Sequence, residues 1–92
     1  MNTYQTAFDA ICDTPAESLN MRLRAELMRH IAQTIQANQW TQKQAAAHCG
    51  ITQPRINDLL SGKIHKFSLD ALVNINAQMG QGISLQFDTA FA

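Results

Sequence analysis

Hydrophobic positions recur at helical spacing over most of the chain. The longest example is a stripe with one large aliphatic residue at every fourth position, at Leu19, Leu23, Leu27, Ile31 and Ile35. A stripe of this kind predicts one amphipathic helix, running to about Ala37, whose apolar face lies on a core. A shorter pattern at Tyr4, Phe8 and Ile11 predicts a further helix over residues 4–12.

Capping signals divide the rest of the chain into shorter helices. A threonine or serine stands where its side-chain oxygen can accept from the first helical turn, at Thr14, Thr41, Thr52 and Ser68. Glycines stop the helices that follow, at Gly50, Gly62 and Gly80. Together with the N-terminal helix, these signals predict five helices, and the last one buries Leu69, Leu72, Val73, Ile75 and Met79.

The pattern changes after Gly80. Ile83, Leu85 and Phe87 alternate with polar residues, which predicts a β-strand over residues 83–88. A lone strand in a helical domain has unpaired backbone groups, so we expect it to pair with the same strand of a second copy. The alternative is a tail that folds back irregularly over its own core.

Composition favours one small globular domain spanning residues 1–92. The chain has 92 residues, of which 46% are hydrophobic and 15% charged. It has no apolar run of membrane-spanning length and no secretion signal at its start, and its two cysteines, Cys12 and Cys49, form no CxxC pair. We therefore expect a cytoplasmic protein with reduced thiols that does not bind a membrane.

Catalytic and metal-binding patterns are not apparent in the sequence. His48 and Cys49 are adjacent, so on a helix they point about 100° apart and cannot chelate one ion. No zinc-ligand spacing, glycine-rich phosphate loop or nucleophile–base pair stands out. We expect neither an enzyme, nor a metal site, nor a cofactor.

Residues 41–62 match the spacing of a helix-turn-helix. Ala46 lies where two short helices would cross, and a larger side chain there would force them apart. Gly50 can take the left-handed conformation of the turn, which Ile51 would fill. Ile56 and Leu59 would anchor the second helix. A generic helical hairpin is the alternative.

Charge is unevenly distributed although the net charge is zero. Residues 41–67 contain four basic residues and one acidic residue, a net +3, and the remainder carries −3. Such asymmetry can place a basic face on a neutral protein, although chance can produce it in a short chain.

The segment WTQKQAAAHCGITQPRINDLLSGKIHKFSLDALVNI resembles the lambda-repressor/Cro-like (XRE) family, and it is also similar to HigA-type antitoxins. The shared features are the TQPR start of the second short helix and the KFSLD that follows it. The resemblance covers about residues 17–80. It implies an all-α, lambda-repressor-like DNA-binding domain that acts as a dimer in a bacterium or phage.

The resemblance also implies DNA-contacting residues, because the second short helix of this family enters the major groove. Gln53 and Arg55 are the expected base readers, joined by Asn57 and Asp58. Asp58 would either accept from a cytosine amino group or orient Arg55. The expected contacts to the DNA backbone are Thr41, Gln42, Lys43, Thr52, Ser61, Lys63, His65 and Lys66. For each of these residues the alternative is an ordinary solvated surface.

Two functional hypotheses follow. The first is a sequence-specific repressor that binds a palindromic operator as a homodimer, with the further hypothesis of an antitoxin that has a cognate toxin and regulates its own promoter. The second is a protein-interaction module that sequesters a partner and whose helix-turn-helix no longer binds DNA. The first is the leading hypothesis, and the zero net charge and Asp58 keep the second open as its alternative.

Overall fold

The structure of the protein, a computed structural model, describes residues 14–89. These residues form four α-helices and no β-strand: α1 is Pro15–Ala37, α2 is Gln42–Cys49, α3 is Gln53–Leu60 and α4 is Leu69–Gln78. A 3₁₀-helix, Ile64–Lys66, joins α3 to α4. The helix predicted over residues 4–12 lies outside the described residues, which contain the other four predicted helices and do not support the count of five. None of the described helices is both long and apolar enough to cross a membrane.

Each described helix begins at the residue that the capping signals predicted. The side-chain oxygens of the four caps accept from an amide three residues later, at 3.1–3.3 Å. At the start of α2 the capping is reciprocal and forms a complete capping box, because Gln44 Oε1 also accepts from the Thr41 N–H at 2.9 Å. These bonds satisfy amides that have no partner within their own helix, and so they fix where each helix starts.

The buried face of α1 differs from the predicted stripe. Ile31 is fully buried and Met28 and Ile35 nearly so, but Leu23 is 40% exposed. A residue at every fourth position advances about 40° beyond a full turn of an α-helix, so Leu23 and Ile35 lie about 120° apart. The stripe therefore winds around α1 instead of following one line, and at Leu23 it is left partly open to solvent.

The core lies where α1 and α4 meet the backs of the two short helices. α1 packs against α3, α4 and the 3₁₀-helix, and α2 packs against α3 and α4. The buried apolar residues of this core are Met28, Ile31, Ile35, Ala45, Ala46, Cys49, Ile56, Leu59, Phe67, Leu72 and Ile75. Two-turn helices are marginal by themselves in water, so this burial is what stabilises α2 and α3.

The turn between α2 and α3 is the one predicted. Gly50 has a φ of 69°, in the left-handed region, and the Ala46 carbonyl accepts from the N–H groups of Gly50 and Ile51. A Cβ at Gly50 would also lie 3.3 Å from the side chain of Gln78 in α4. Glycine is therefore favoured here both by the backbone conformation and by the close approach of α4.

The buried side of α4 is narrower than predicted. Leu72 and Ile75 are buried, whereas Val73 is 45% exposed. Asn76 is buried with them, and its side-chain amide donates to the Leu72 carbonyl at 3.1 Å. Hydrophobicity alone assigned Val73 to the core and missed Asn76. The amide nitrogen of Asn76 is paired within its own helix, whereas its buried side-chain oxygen has no hydrogen-bond partner within the described residues.

The tail after Gly80 forms no strand within the described chain. Its first residue is held, because the Gln81 N–H donates to the Asn76 carbonyl and the Gln81 side chain hydrogen-bonds His30. Residues 82–88 then run without regular secondary structure. A strand requires a hydrogen-bonding neighbour, which one copy of this tail does not have. Pairing with a second copy stays a prediction.

Candidate nucleic-acid interface

The outer surface of α3 is polar and open to solvent. Ile56 and Leu59 hold the helix to the core with exposures of 0% and 2%. Gln53, Asn57 and Ser61 follow one another at intervals of four residues, and all three are exposed. Neither the Gln53 nor the Asn57 side chain has a hydrogen-bond partner within residues 14–89. Both amides are thus available to an external donor or acceptor.

Arg55 is turned toward its own chain. Its Nη1 donates to the Lys66 carbonyl oxygen at 2.7 Å, and its guanidinium lies 4.1 Å from the centroid of the buried Phe67 ring. These contacts tie the start of α3 to the junction between the 3₁₀-helix and α4. A guanidinium has five N–H donors, so this bond leaves the others for a base, provided that the side chain can reach it.

Asp58 lies between two lysines. Lys63 Nζ is 3.3 Å from one of its carboxylate oxygens and Lys66 Nζ is 3.6 Å from the other. The carboxylate is largely covered, with 17% of the side chain exposed, whereas the lysines are more than half exposed. Ion pairs at such open lysines are weak. A DNA phosphate could therefore compete with Asp58 for both of them.

The basic loop that carries these lysines is fixed from behind by α1. Arg24 Nη1 donates to the carbonyl oxygens of Ile64 and Phe67, at 3.2 and 3.4 Å, and Arg24 Nε donates to Asn20 Oδ1 at 2.7 Å. Arg24 therefore determines where Lys63, His65 and Lys66 stand relative to α3. Sequence reasoning missed this role, because no local pattern indicates a contact across about forty residues.

A second group of predicted DNA contacts lies at the start of α2. Thr41, Gln42 and Lys43 are all exposed there, next to amides that have no partner within the helix. Thr41 and Thr52 already use their hydroxyl oxygens as cap acceptors, but each hydroxyl keeps its own hydrogen as a donor. No hydrogen bond or ion pair within the described residues joins this group to the cluster of Arg55, Asp58, Lys63 and Lys66.

An aromatic stack braces the start of α2. The rings of Trp40 and His48 lie parallel, with centroids 3.9 Å apart and planes within 9°. Trp40, which precedes the N-cap Thr41, is thereby packed against the second turn of α2, and this contact helps to hold Thr41 and Gln42 in place. Trp40 also packs against the core, and no local sequence pattern indicated its contact with His48.

The described residues contain no group of three or more His, Cys, Asp or Glu side chains that could hold a metal ion. Cys49 is buried in the core, and burial raises the pKa of its thiol by desolvation. A thiol in this environment stays protonated and behaves as a small apolar side chain. We therefore assign Cys49 to packing.

Comparison with known proteins agrees with this geometry. A family model described as a helix-turn-helix domain matches residues 8–87, which is most of the chain. No curated protein and no solved structure matches the chain. The matched range contains both short helices, the turn at Gly50, the long helix behind them and most of the tail. The chain belongs to this family of helix-turn-helix domains.

Proposed function

We propose that the protein is a sequence-specific DNA-binding regulator of transcription, a repressor, that reads the major groove with α3. The observation that carries this proposal is the pair of unpartnered side-chain amides, Gln53 and Asn57, on the exposed face of the second helix of a helix-turn-helix. Such a helix commonly enters the major groove, where glutamine and asparagine pair with adenine N6 and N7. Both amides stand on a helix whose opposite face is fixed in the core.

The arrangement around α3 supports a division of labour between the predicted contacts. Gln53 and Asn57 would specify bases, and Lys43, Lys63, His65 and Lys66 would bind phosphates on either side of them. Asp58 keeps two of these lysines beside α3 in the free protein. On DNA, phosphate oxygens would replace its carboxylate as their partner.

The biological setting extends the proposal. We propose a cytoplasmic homodimer on a palindromic operator, because a two-fold axis would place two copies of α3 about one DNA turn apart, roughly 34–36 Å. The resemblance of residues 40–75 to HigA-type antitoxins supports an antitoxin that represses its own operon and binds a cognate toxin. Co-purification with the product of the neighbouring gene tests the toxin partnership.

A protein-interaction module that has lost DNA binding is the second candidate. The specific observation in its favour is that Asp58 neutralises part of the basic cluster beside α3, in a chain of zero net charge. Such a module would still bind a protein partner but would show no affinity for DNA. Its DNA-binding behaviour distinguishes it from the repressor.

Salt dependence is the first test. DNA affinity should fall steeply as salt rises, because each phosphate neutralised by a lysine or arginine contributes about −0.9 to the slope of log affinity against log salt. With two basic segments in a dimer we expect a slope of several units. Fluorescence anisotropy with labelled duplex between about 50 and 200 mM salt measures it. A flat response would exclude an interface that tracks phosphates.

Substitution of Arg55 distinguishes a role in base reading from a structural role within the protein. As a base reader, Arg55→Ala should weaken operator binding by about 1–3 kcal/mol and relax the preference at one base pair. Lys63→Ala is the control, and it should weaken all sequences alike. Binding to a panel of single-base operator variants measures both. If Arg55→Ala also weakens all sequences alike and lowers thermal stability, its contacts with Lys66 and Phe67 are its role and the base-reading assignment is wrong.

A further inference from the structure

An apolar groove lies on the side of the molecule formed by α1, α4 and the tail. Its apolar lining residues are Leu23, Leu27, Leu69, Val73, Ile83 and Leu85. Three of them, Leu23, Val73 and Ile83, are 40–45% exposed, which is unusual for large aliphatic side chains grouped in one place. No residue of α2 or α3 contributes to the lining. The groove is therefore separate from the candidate DNA contacts.

The groove has the size and chemistry to receive an aromatic side chain. Its volume is about 410 Å³, whereas a cavity of about 150 Å³ is enough to hold a benzene ring. Glu26 is its only charged lining residue, and the others are apolar or uncharged. A charged or strongly polar ligand would gain little there.

The tail supplies an occupant of matching chemistry. Leu85 and Phe87 are 79% and 87% exposed, the highest values among the large hydrophobic residues of the described chain. Residues 83–87 contain no charged side chain. Their backbone makes no backbone–backbone hydrogen bond within the described residues. The segment thus has exposed apolar side chains and a free hydrogen-bonding edge, and both favour a second chain.

We propose that two copies of the protein exchange their tails, so that Phe87 of each copy fills the groove between α1 and α4 of the other. Ile83 and Leu85 of each copy line the edge of that copy's own groove. A partner tail that enters the groove would therefore lie beside them, and a two-fold axis would make the two tails antiparallel. Each contact occurs twice, which doubles the apolar area removed from water. The driving force is the burial of two phenyl rings and of the exposed groove residues Leu23 and Val73 in each copy.

This exchange deepens the homodimer of the proposed function, and only its consequence for DNA rests on that function. Because the groove contains no residue of the helix-turn-helix, a dimer formed there leaves both copies of α3 free. Self-association is measured without DNA, so its failure and a failure of DNA binding are separate results.

Single variants test the two halves of the contact by sedimentation equilibrium without DNA. Val73→Asp and Leu23→Asp each alter the groove, and Phe87→Asp alters the tail. All three positions are at least 40% exposed, so helical circular dichroism should persist. Each variant should raise the dissociation constant of the dimer at least about a hundredfold, because two copies of the contact are lost. Leu60→Asp, 42% exposed on α3, is the matched control and should leave it unchanged.

Mixing the variants distinguishes exchange from a tail that covers its own groove. A heterodimer of Val73→Asp and Phe87→Asp retains one intact contact, formed by the tail of the first in the groove of the second. An equimolar mixture should therefore dimerise more strongly than either variant alone. The exchange would be overturned if the wild-type chain were monomeric. It would also be overturned if both Val73→Asp and Leu23→Asp dimerised as the wild type does, or if the mixture dimerised no more strongly than its components.

Discussion

Replacing Ile56 with alanine should lower the free energy of unfolding by about 2–5 kcal/mol. Ile56 is completely buried, and it is one of the two side chains by which α3 is anchored. Removing three carbon atoms there loses apolar burial and leaves a cavity against α1 and α2, which can close only in part. In a domain of this size, a loss of that order is a large fraction of the total stability.

Leu60→Ala is the matched control. Leu60 lies one turn after Ile56 in the same helix, but its side chain is 42% exposed. We expect it to cost less than about 1 kcal/mol, as for a substitution at a largely exposed site. Urea unfolding followed by far-UV circular dichroism measures both variants. Equal losses for the two would mean that α3 is not anchored through Ile56.

Ending the chain at Gly80 should abolish dimerisation at micromolar concentration and weaken operator binding at least about a hundredfold. The truncation removes the entire tail but none of the four α-helices. A monomer would contact one half-site of a palindrome, so it would lose the contribution of the second copy of α3.

A chain ending at Asp88 is the control for this truncation, since it keeps the tail that includes Ile83, Leu85 and Phe87. It should dimerise and bind as the full chain does. Sedimentation velocity and anisotropy on the same samples give both quantities. If the chain ending at Gly80 were still fully dimeric, the interface would lie on the helices instead.

Local chemistry made the helix boundaries predictable. A cap such as Thr41 depends on residues within one turn of itself, and Gly50 is favoured by the backbone angle of a single turn. Ala46 followed from the crossing of two short helices, which is a property of the motif. Features that depend on residues close together in the sequence can be deduced without knowing which segments meet in three dimensions.

Faces and contacts between distant segments were less predictable. Leu23 and Val73 belong to hydrophobic patterns, but their exposure depends on which side of α1 and α4 the short helices cover. Asn76 is buried although it is polar, and within the described residues only the nitrogen of its side-chain amide has a partner. A pattern of hydrophobic and polar letters contains none of this information.

The same limit applies to the candidate site. Gln53 and Asn57 stand at solvent-exposed positions of α3, as the motif predicts. The contacts of Arg55 with Lys66 and Phe67, and of Asp58 with Lys63 and Lys66, join α3 to the loop that follows it. They depend on the path of that loop, which Arg24 fixes from α1. Sequence spacing alone could not assign these partners.

Competition between specific and unspecific DNA tests the central claim most directly. The protein is titrated at physiological salt onto a labelled duplex from immediately upstream of its own gene, in the presence of a scrambled duplex of the same composition. A sequence-specific repressor should prefer its operator by about a thousandfold or more. Equal binding to the two duplexes, or no binding to either at micromolar protein, would contradict a regulator that reads DNA through α3.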